Sequence, residues 1–315
     1  METGITEEAD AVLYSLWERT QHQNNKAATG GKATGNWEEE IKLLEQLGKG
    51  MEETIRYLYI QQPAYESFVE WLDMGKSSTG EVEERMEEDV LTADDLDFWN
   101  ENGYIVVRNA ITRKQAADTA DAIWQHLGAS PADPATWYKP HEDMRGLMVT
   151  FYHHPTLEAN RKSPRIRRAY EQVYGTTDIR RNMDKVSFNP PENHNYAFMG
   201  SPLHWDTSLQ LPIPFRLQGL LYLTDTDAVN GAFHCVPGFH NSIGDWMAGL
   251  PENVDPRSEA IATLEPIPVT GNAGDFVIWH QALPHCATAN KGNTPRLVQY
   301  FTYLRNDTPE QEVWI

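Results

Sequence analysis

Apolar residues recur at helical spacing three times early in the chain: Trp37, Ile41 and Leu44; Ile55, Leu58 and Tyr59; Tyr65, Phe68, Val69 and Leu72. Steps of three and four residues place such side chains on one helical face, opposite the charged ones. The pattern predicts an N-terminal helical appendage over residues 1–91. Within it, the stretch TQHQNNKAATGGKATGN, residues 20–36, offers almost nothing to bury and predicts a mobile segment.

From residue 92 the pattern changes. Thr92 to Asp95 and Thr112 to Gln115 read as capping boxes, with the alternating strand YIVVRNAI between the helices they open. Beyond Asp184 the chain becomes short strands separated by Pro, Gly and Asn: KVSFN, LQGLLYLT, AFHCVP, LEPIPVT, DFVIWH and RLVQYFTYL. Closely spaced strands without helical crossovers predict an antiparallel sandwich or barrel, so residues 92–315 form a mainly β domain with flanking helices.

Composition narrows the function. The net charge of −20 over 315 residues disfavours duplex nucleic acid and anionic membranes as partners, since both would repel the average surface. No apolar run approaches the roughly 20 residues that span a bilayer. Two cysteines, Cys235 and Cys286, and an acidic start suggest a reducing, cytoplasmic location. Nine acidic residues between Glu81 and Asp97 read as a solvated linker or helix start. Eight basic residues between Arg161 and Lys185 read as a helix paired with the acidic N-terminal region, or as recruitment of an anionic substrate through Lys185.

The candidate chemistry begins at PLHWDT. Residues two apart share a strand face, so His204 and Asp206 can aim inward together while Trp205 packs outside. One imidazole and one carboxylate suit a borderline metal, and a second histidine would complete a facial triad. Alone, the HxD spacing is more often a surface pair. The further histidines are His234, His240, His280 and His285, of which His285 precedes a polar turn and then Arg296 at the mouth of an apolar strand. An arginine there is costly to desolvate unless an anion meets it, or unless it snorkels to the surface.

Together, HWD at 204–206, the run YLTDTDAVNGAFHCVPGFH at 222–240, and His285, Asn290 and Arg296 in their spacing resemble the phytanoyl-CoA dioxygenase family of iron(II)- and 2-oxoglutarate-dependent oxygenases. The likeness runs from about residue 92 to the end. It implies a double-stranded β-helix (a cupin-like jelly-roll), iron(II) held by His204, Asp206 and His285, and Arg296 on the distal carboxylate of 2-oxoglutarate. It implies a dioxygenase that uses O2 and releases succinate and carbon dioxide. Where relatives carry a serine two residues after the distal histidine this chain has Ala287, and Thr288 is the expected stand-in; where they carry a tryptophan near the cosubstrate it has Tyr222. The carboxylate at Asp206 favours hydroxylation of an unactivated C–H bond over halogenation, with desaturation, cyclisation or epimerisation left open.

The substrate expected is a small organic molecule, free or as a CoA ester, touched by Lys185, Phe188 and Trp246. Phe151, Tyr152, Tyr196 and Phe198 line the same pocket or belong to the core. Residues 192–200 read as a loop over the site, and residues 241–258 as a strand connection long enough to be a lid. The N-terminal helices cap the pocket or form a homodimer contact. A metal-binding jelly-roll without activity is the alternative, against which Arg296 argues.

Overall fold

A computed structural model describes residues 6–25, 37–74, 86–198, 200–308, 311 and 313–315. The chain divides into two compact units, residues 1–82 and 83–315. The first holds α1 (Glu7–Asn25), α2 (Trp37–Gln46), α3 (Met51–Gln61) and α4 (Tyr65–Met74). Their apolar faces meet in a core of Leu13, Leu16, Leu44, Leu58, Phe68 and Leu72. The segment expected to be mobile from Thr20 is helical over its first six residues. Residues 20–25 are the last turns of α1, where Thr20 is buried and its hydroxyl donates to the Leu16 carbonyl; residues 26–36 lie outside the described residues.

The second unit begins nine residues before the expected boundary at residue 92. Leu91 is buried in its core, and the Val90 and Leu91 amides both donate to Gln172 Oε1. Its elements are α5 (Ala93–Asn102), β1 (Tyr104–Val107), α6 (Arg113–His126), β2 (Met144–Arg145), β3 (Met148–Val149), α7 (Pro155–Arg161), α8 (Pro164–Tyr174), β4 (Ile179–Arg181), β5 (Val186–Asn189), β6 (Leu217–Tyr222), β7 (Phe233–Cys235), α9 (Phe239–Ala248), α10 (Pro256–Thr263), β8 (Ile267–Val269), β9 (Phe276–His280), β10 (His285–Ala287), β11 (Arg296–Tyr300) and β12 (Tyr303–Arg305). Both capping boxes form: the Thr92 and Thr112 hydroxyls accept from the Asp95 and Gln115 amides. Gly103 closes α5 at φ 73, and a Cβ there would lie 2.5 Å from the His240 ring, so only glycine fits.

The strands form a seven-stranded sheet, β1-β9-β6-β11-β5-β3-β2, and a three-stranded sheet, β10-β7-β8, antiparallel throughout. Alternation along β9 sorts the layers. Phe276 and Ile278 pack with Ile123, Ile166 and Tyr170 under α6 and α8, whereas Val277 and Trp279 pack with Phe233, Val269 and Leu283 toward the smaller sheet. This is the double-stranded β-helix that the family resemblance implies, and it agrees with the antiparallel sandwich or barrel expected from the strand pattern. Two expectations change. The run RLVQYFTYL breaks at Phe301–Thr302, and β12 turns off to pair with β4. Residues 241–258 lie largely on α9 and the start of α10, because the Asp255 carboxylate caps α10 through the Ser258 amide.

The basic stretch also resolves. Arg161 and Arg167 are buried, against Glu158 and Glu171, and Arg168 reaches Asp89 and Glu171. Pairing inside this unit, not an anion-recruiting face, accounts for these arginines. Residues 81–85 of the acidic run lie outside the described residues.

Candidate metal centre

His204 and His285 reach each other through an isolated antiparallel bridge in which each amide donates to the other's carbonyl at 2.9 Å. That bridge brings distant parts of the chain to one place and leaves their ring centroids 4.6 Å apart. Asp206, two residues on, joins them: its Oδ1 lies 3.5 Å from His204 Nε2 and its Oδ2 3.2 Å from His285 Nε2. One ligand atom from each residue lies within 4.8 Å of the others. Trp205 turns the other way, donates to the Ala282 carbonyl and packs on Phe239 and Trp246 of α9.

The imidazoles are oriented by the backbone. His204 Nδ1 lies 2.8 Å from the Pro202 carbonyl oxygen, and His285 Nδ1 lies 3.2 Å from that of Leu283. A carbonyl only accepts, so each Nδ1 carries a proton, and each Nε2 points at the common centre, where it shares a proton with Asp206 and would offer its lone pair to a metal that displaced that proton. The carboxylate is oriented from the large sheet: Gln218 Nε2 donates to Asp206 Oδ2 at 2.7 Å, and Gln218 Oε1 accepts from Trp279 Nε1 at 2.9 Å. Neither Gln218 nor Trp279 was expected from the sequence. The signal was there, since Gln218 is the polar interruption in the apolar strand LQGLLYLT.

Burial opposes the charge on Asp206, but hydrogen bonds with His204 and His285, the charge of His285, and the Gln218 donor hold its carboxyl well below the usual range. For His204, burial works against protonation, yet the Asp206 and Pro202 hydrogen bonds raise its pKa. A carboxylate held anionic between two inward-facing nitrogens suits a divalent cation in place of the shared proton. His285 is buried, while His204 and Asp206 are partly exposed, which leaves one side of the centre open.

Arg296 begins β11, is 1% exposed, and by alternation shares the inward face with Val298. Its Nη2 donates to Ser187 Oγ at 3.4 Å, its Nε is buried without a partner, and among the described residues it forms no ion pair. A buried guanidinium in that state fits a carboxylate that arrives with a ligand.

Other expectations shift. Tyr222 is fully buried, but its hydroxyl donates to the Val269 carbonyl at 2.6 Å and accepts from the Phe233 amide at 3.1 Å. Its single proton ties strands together and is not offered to a carboxylate. Thr288 lies three residues past His285, so strand alternation puts it on the opposite face, where its hydroxyl meets the Ala232 carbonyl and His234 Nδ1. Phe188 faces the helices, edge-on to Trp124, and not the inner face of β5. Trp246 supports Trp205. Lys185, just before β5, accepts the Tyr300 amide and by register shares the face of Ser187. His234 keeps company with Thr288, while His240 and His280 sit 5.3 Å apart near Gly103. Asn290 is buried and organises its turn, donating to the Asn189 and Thr294 carbonyls. Phe151 stacks on His126, and Tyr196 packs on Tyr138.

Two inward imidazoles and a carboxylate between the sheets of a double-stranded β-helix match the architecture of the non-haem, 2-oxoglutarate-dependent oxygenases, and the chain is an enzyme of that class, dependent on iron(II) and 2-oxoglutarate. It belongs to the phytanoyl-CoA dioxygenase (PhyH) family, whose model matches residues 99–298. A putative phytanoyl-CoA dioxygenase of Dictyostelium discoideum is 20% identical, over 67% of this chain and 75% of that protein. Among solved structures, the non-heme alpha ketoglutarate dependent epimerase SnoN is similar in fold at TM-score 0.51 and 18% identity, covering 68% of this chain and 83% of that one. The carbocyclase SnoK is similar at TM-score 0.50 and 18% identity, covering 70% and 87%. No helix among the described residues is long and apolar enough to cross a membrane.

Proposed function

We propose that this enzyme hydroxylates an unactivated C–H bond of a small organic metabolite, with His204, Asp206 and His285 holding iron(II) and Arg296 gripping the distal carboxylate of 2-oxoglutarate. The convergence of the two Nε2 atoms and the Asp206 carboxylate on one centre, with both Nδ1 atoms engaged by carbonyls, carries this reading. Bound there with 2-oxoglutarate, iron(II) supplies the activation of dioxygen. The chain's own contribution is positional. The Pro202 and Leu283 carbonyls fix the imidazoles, Gln218 fixes the carboxylate, and the unpaired guanidinium of Arg296 orders the cosubstrate. Asp206 occupies the position that a halide would need, which supports hydroxylation. Lys185 is the candidate contact for an anionic substrate.

Anaerobic addition of iron(II) and 2-oxoglutarate is expected to produce a weak visible charge-transfer band that Asp206→Ala abolishes. Succinate release across a metabolite panel then identifies the substrate. A silent spectrum in the unaltered protein overturns the proposal and favours a non-catalytic metal-binding role. Because the similar folds include an epimerase and a carbocyclase, the product's mass is measured alongside succinate: a gain of one oxygen supports hydroxylation, and an unchanged mass or a loss of two hydrogens points to epimerisation or to ring closure and desaturation.

A further inference from the structure

A second group of two histidines and an aspartate lies outside the centre described above and shares no residue with it. His126 is the last residue of α6, and His141 and Asp143 lie in the loop that enters β2. One ligand atom from each lies within 4.8 Å of the others. His126 Nε2 is 3.1 Å from Asp143 Oδ2, and His141 Nδ1 is 4.0 Å from the same oxygen.

The details favour a cation over a simple ion pair. His126 Nε2 is buried and, despite its closeness to Asp143 Oδ2, makes no hydrogen bond. A short nitrogen–oxygen approach out of hydrogen-bond alignment is the relation of two atoms that aim at a third. The other carboxylate oxygen is held: Thr150 Oγ1 donates to Asp143 Oδ1 at 3.1 Å, and the Thr150 amide donates to the Asp143 carbonyl at 2.9 Å. The His126 ring is fixed by stacking on Phe151 at 4.4 Å. His141 Nδ1 accepts the Asp143 amide at 3.2 Å, a long bond that ligation through that nitrogen would replace. The three side chains are only 18–24% exposed, enough for water to reach a fourth position.

We propose that His126, His141 and Asp143 form a second metal site, which takes a zinc-class divalent cation and clasps the end of α6 to the β2–β3 hairpin. Two imidazoles, one carboxylate and a water make the four-coordinate nitrogen and oxygen set that zinc(II) accepts, with Thr150 and Phe151 orienting the ligands from behind.

The test uses the full chain with His204→Ala and Asp206→Ala, which disables the first centre. Calorimetric titration with zinc chloride is expected to show one remaining site tighter than about 10 μM, and zinc is expected to raise the thermal midpoint. Adding Asp143→Asn or, separately, His126→Gln, each checked by circular dichroism for an intact fold, should weaken that site by about 100-fold. Absence of both heat and midpoint shift in the first variant overturns the site, as does zinc binding that survives both further substitutions.

Discussion

At the scale of single residues, the carboxylate that completes the metal centre depends on a donor from another strand. Gln218 reaches Asp206 from β6 and is itself held by Trp279 of β9, so the large sheet sets the direction of a ligand it does not contain. Gln218→Leu is predicted to weaken iron(II) binding by about 10–100-fold, read from the metal titration of the charge-transfer band, while the Michaelis constant for 2-oxoglutarate stays within a factor of two or so. Equal losses in both would assign Gln218 to the cosubstrate instead. Arg296→Lys separates the same quantities in the other direction. It keeps the charge but loses the planar fork, about 1.5–3 kcal/mol for a charge-assisted pair, so the 2-oxoglutarate constant rises roughly 10–100-fold with metal affinity retained. Lys185→Ala should raise only the constant for an anionic primary substrate; an unchanged value removes Lys185 from the site.

At the scale of elements, α10 reaches back to the metal motif. Arg257 donates to the Trp205 and Thr207 carbonyls at 3.0 and 2.9 Å, gripping the backbone on either side of Asp206, and also to the Ile315 carbonyl at 3.2 Å. Gln311 accepts from the Thr207 hydroxyl and donates to the Ser208 carbonyl, so chain-terminal residues brace the same loop. Arg257→Met is predicted to keep the fold but to lower iron(II) affinity by about tenfold, with Arg257→Lys intermediate; a metal titration unchanged in both would confine Arg257 to packing. None of this was visible in the sequence, because a carbonyl clamp has no motif and its partners lie 50 and 52 residues away. The elements with local causes were legible: the capping boxes, the period-two strands, and the helical faces that carry Leu44, Leu58, Phe68 and Leu72, although Trp37 and Tyr59, read onto the same faces, are exposed. His204 and Asp206 were legible as a pair because their spacing is itself a geometric statement. Thr288 and Phe188 misled because type and proximity suggested a site where strand parity puts the side chains on the wrong face. The helix in the 241–258 region was missed although Phe239, Ile243, Trp246 and Met247 recur at helical spacing along α9, and the end of α1 was missed because its residues are polar.

At the scale of the whole molecule, two effects compete as the pH falls. The chain carries a net charge of −20, so protonating its carboxylates relieves self-repulsion and favours the compact state. Against this stands a histidine that is half-buried in its neutral form. His280 closes β9, stacks on Phe215 at 5.4 Å, accepts the Ala282 amide at Nδ1, and faces His240 at 5.3 Å. Burial, with a smaller contribution from His240, pushes its pKa down from 6.5 to about 4. The folded state therefore binds fewer protons than the unfolded chain between about pH 4 and 6.5. Stability from this group is complete above that window, falls as the pH drops through it, and has nothing further to lose below it. The loss is on the order of 3 kcal/mol at most, or roughly 5–10 °C in thermal midpoint for a unit of this size. Salt separates the two effects, since it screens surface repulsion fully but acts less on a half-buried ring packed against Phe215 and His240. At about 0.5 M salt the midpoint is expected to fall between pH 7 and 4.5, and His280→Gln, folded at pH 7, should flatten most of that fall. If the variant retains the full slope, the acid sensitivity lies elsewhere in the molecule, and the pair of rings beside Gly103 is a packing feature with no part in it.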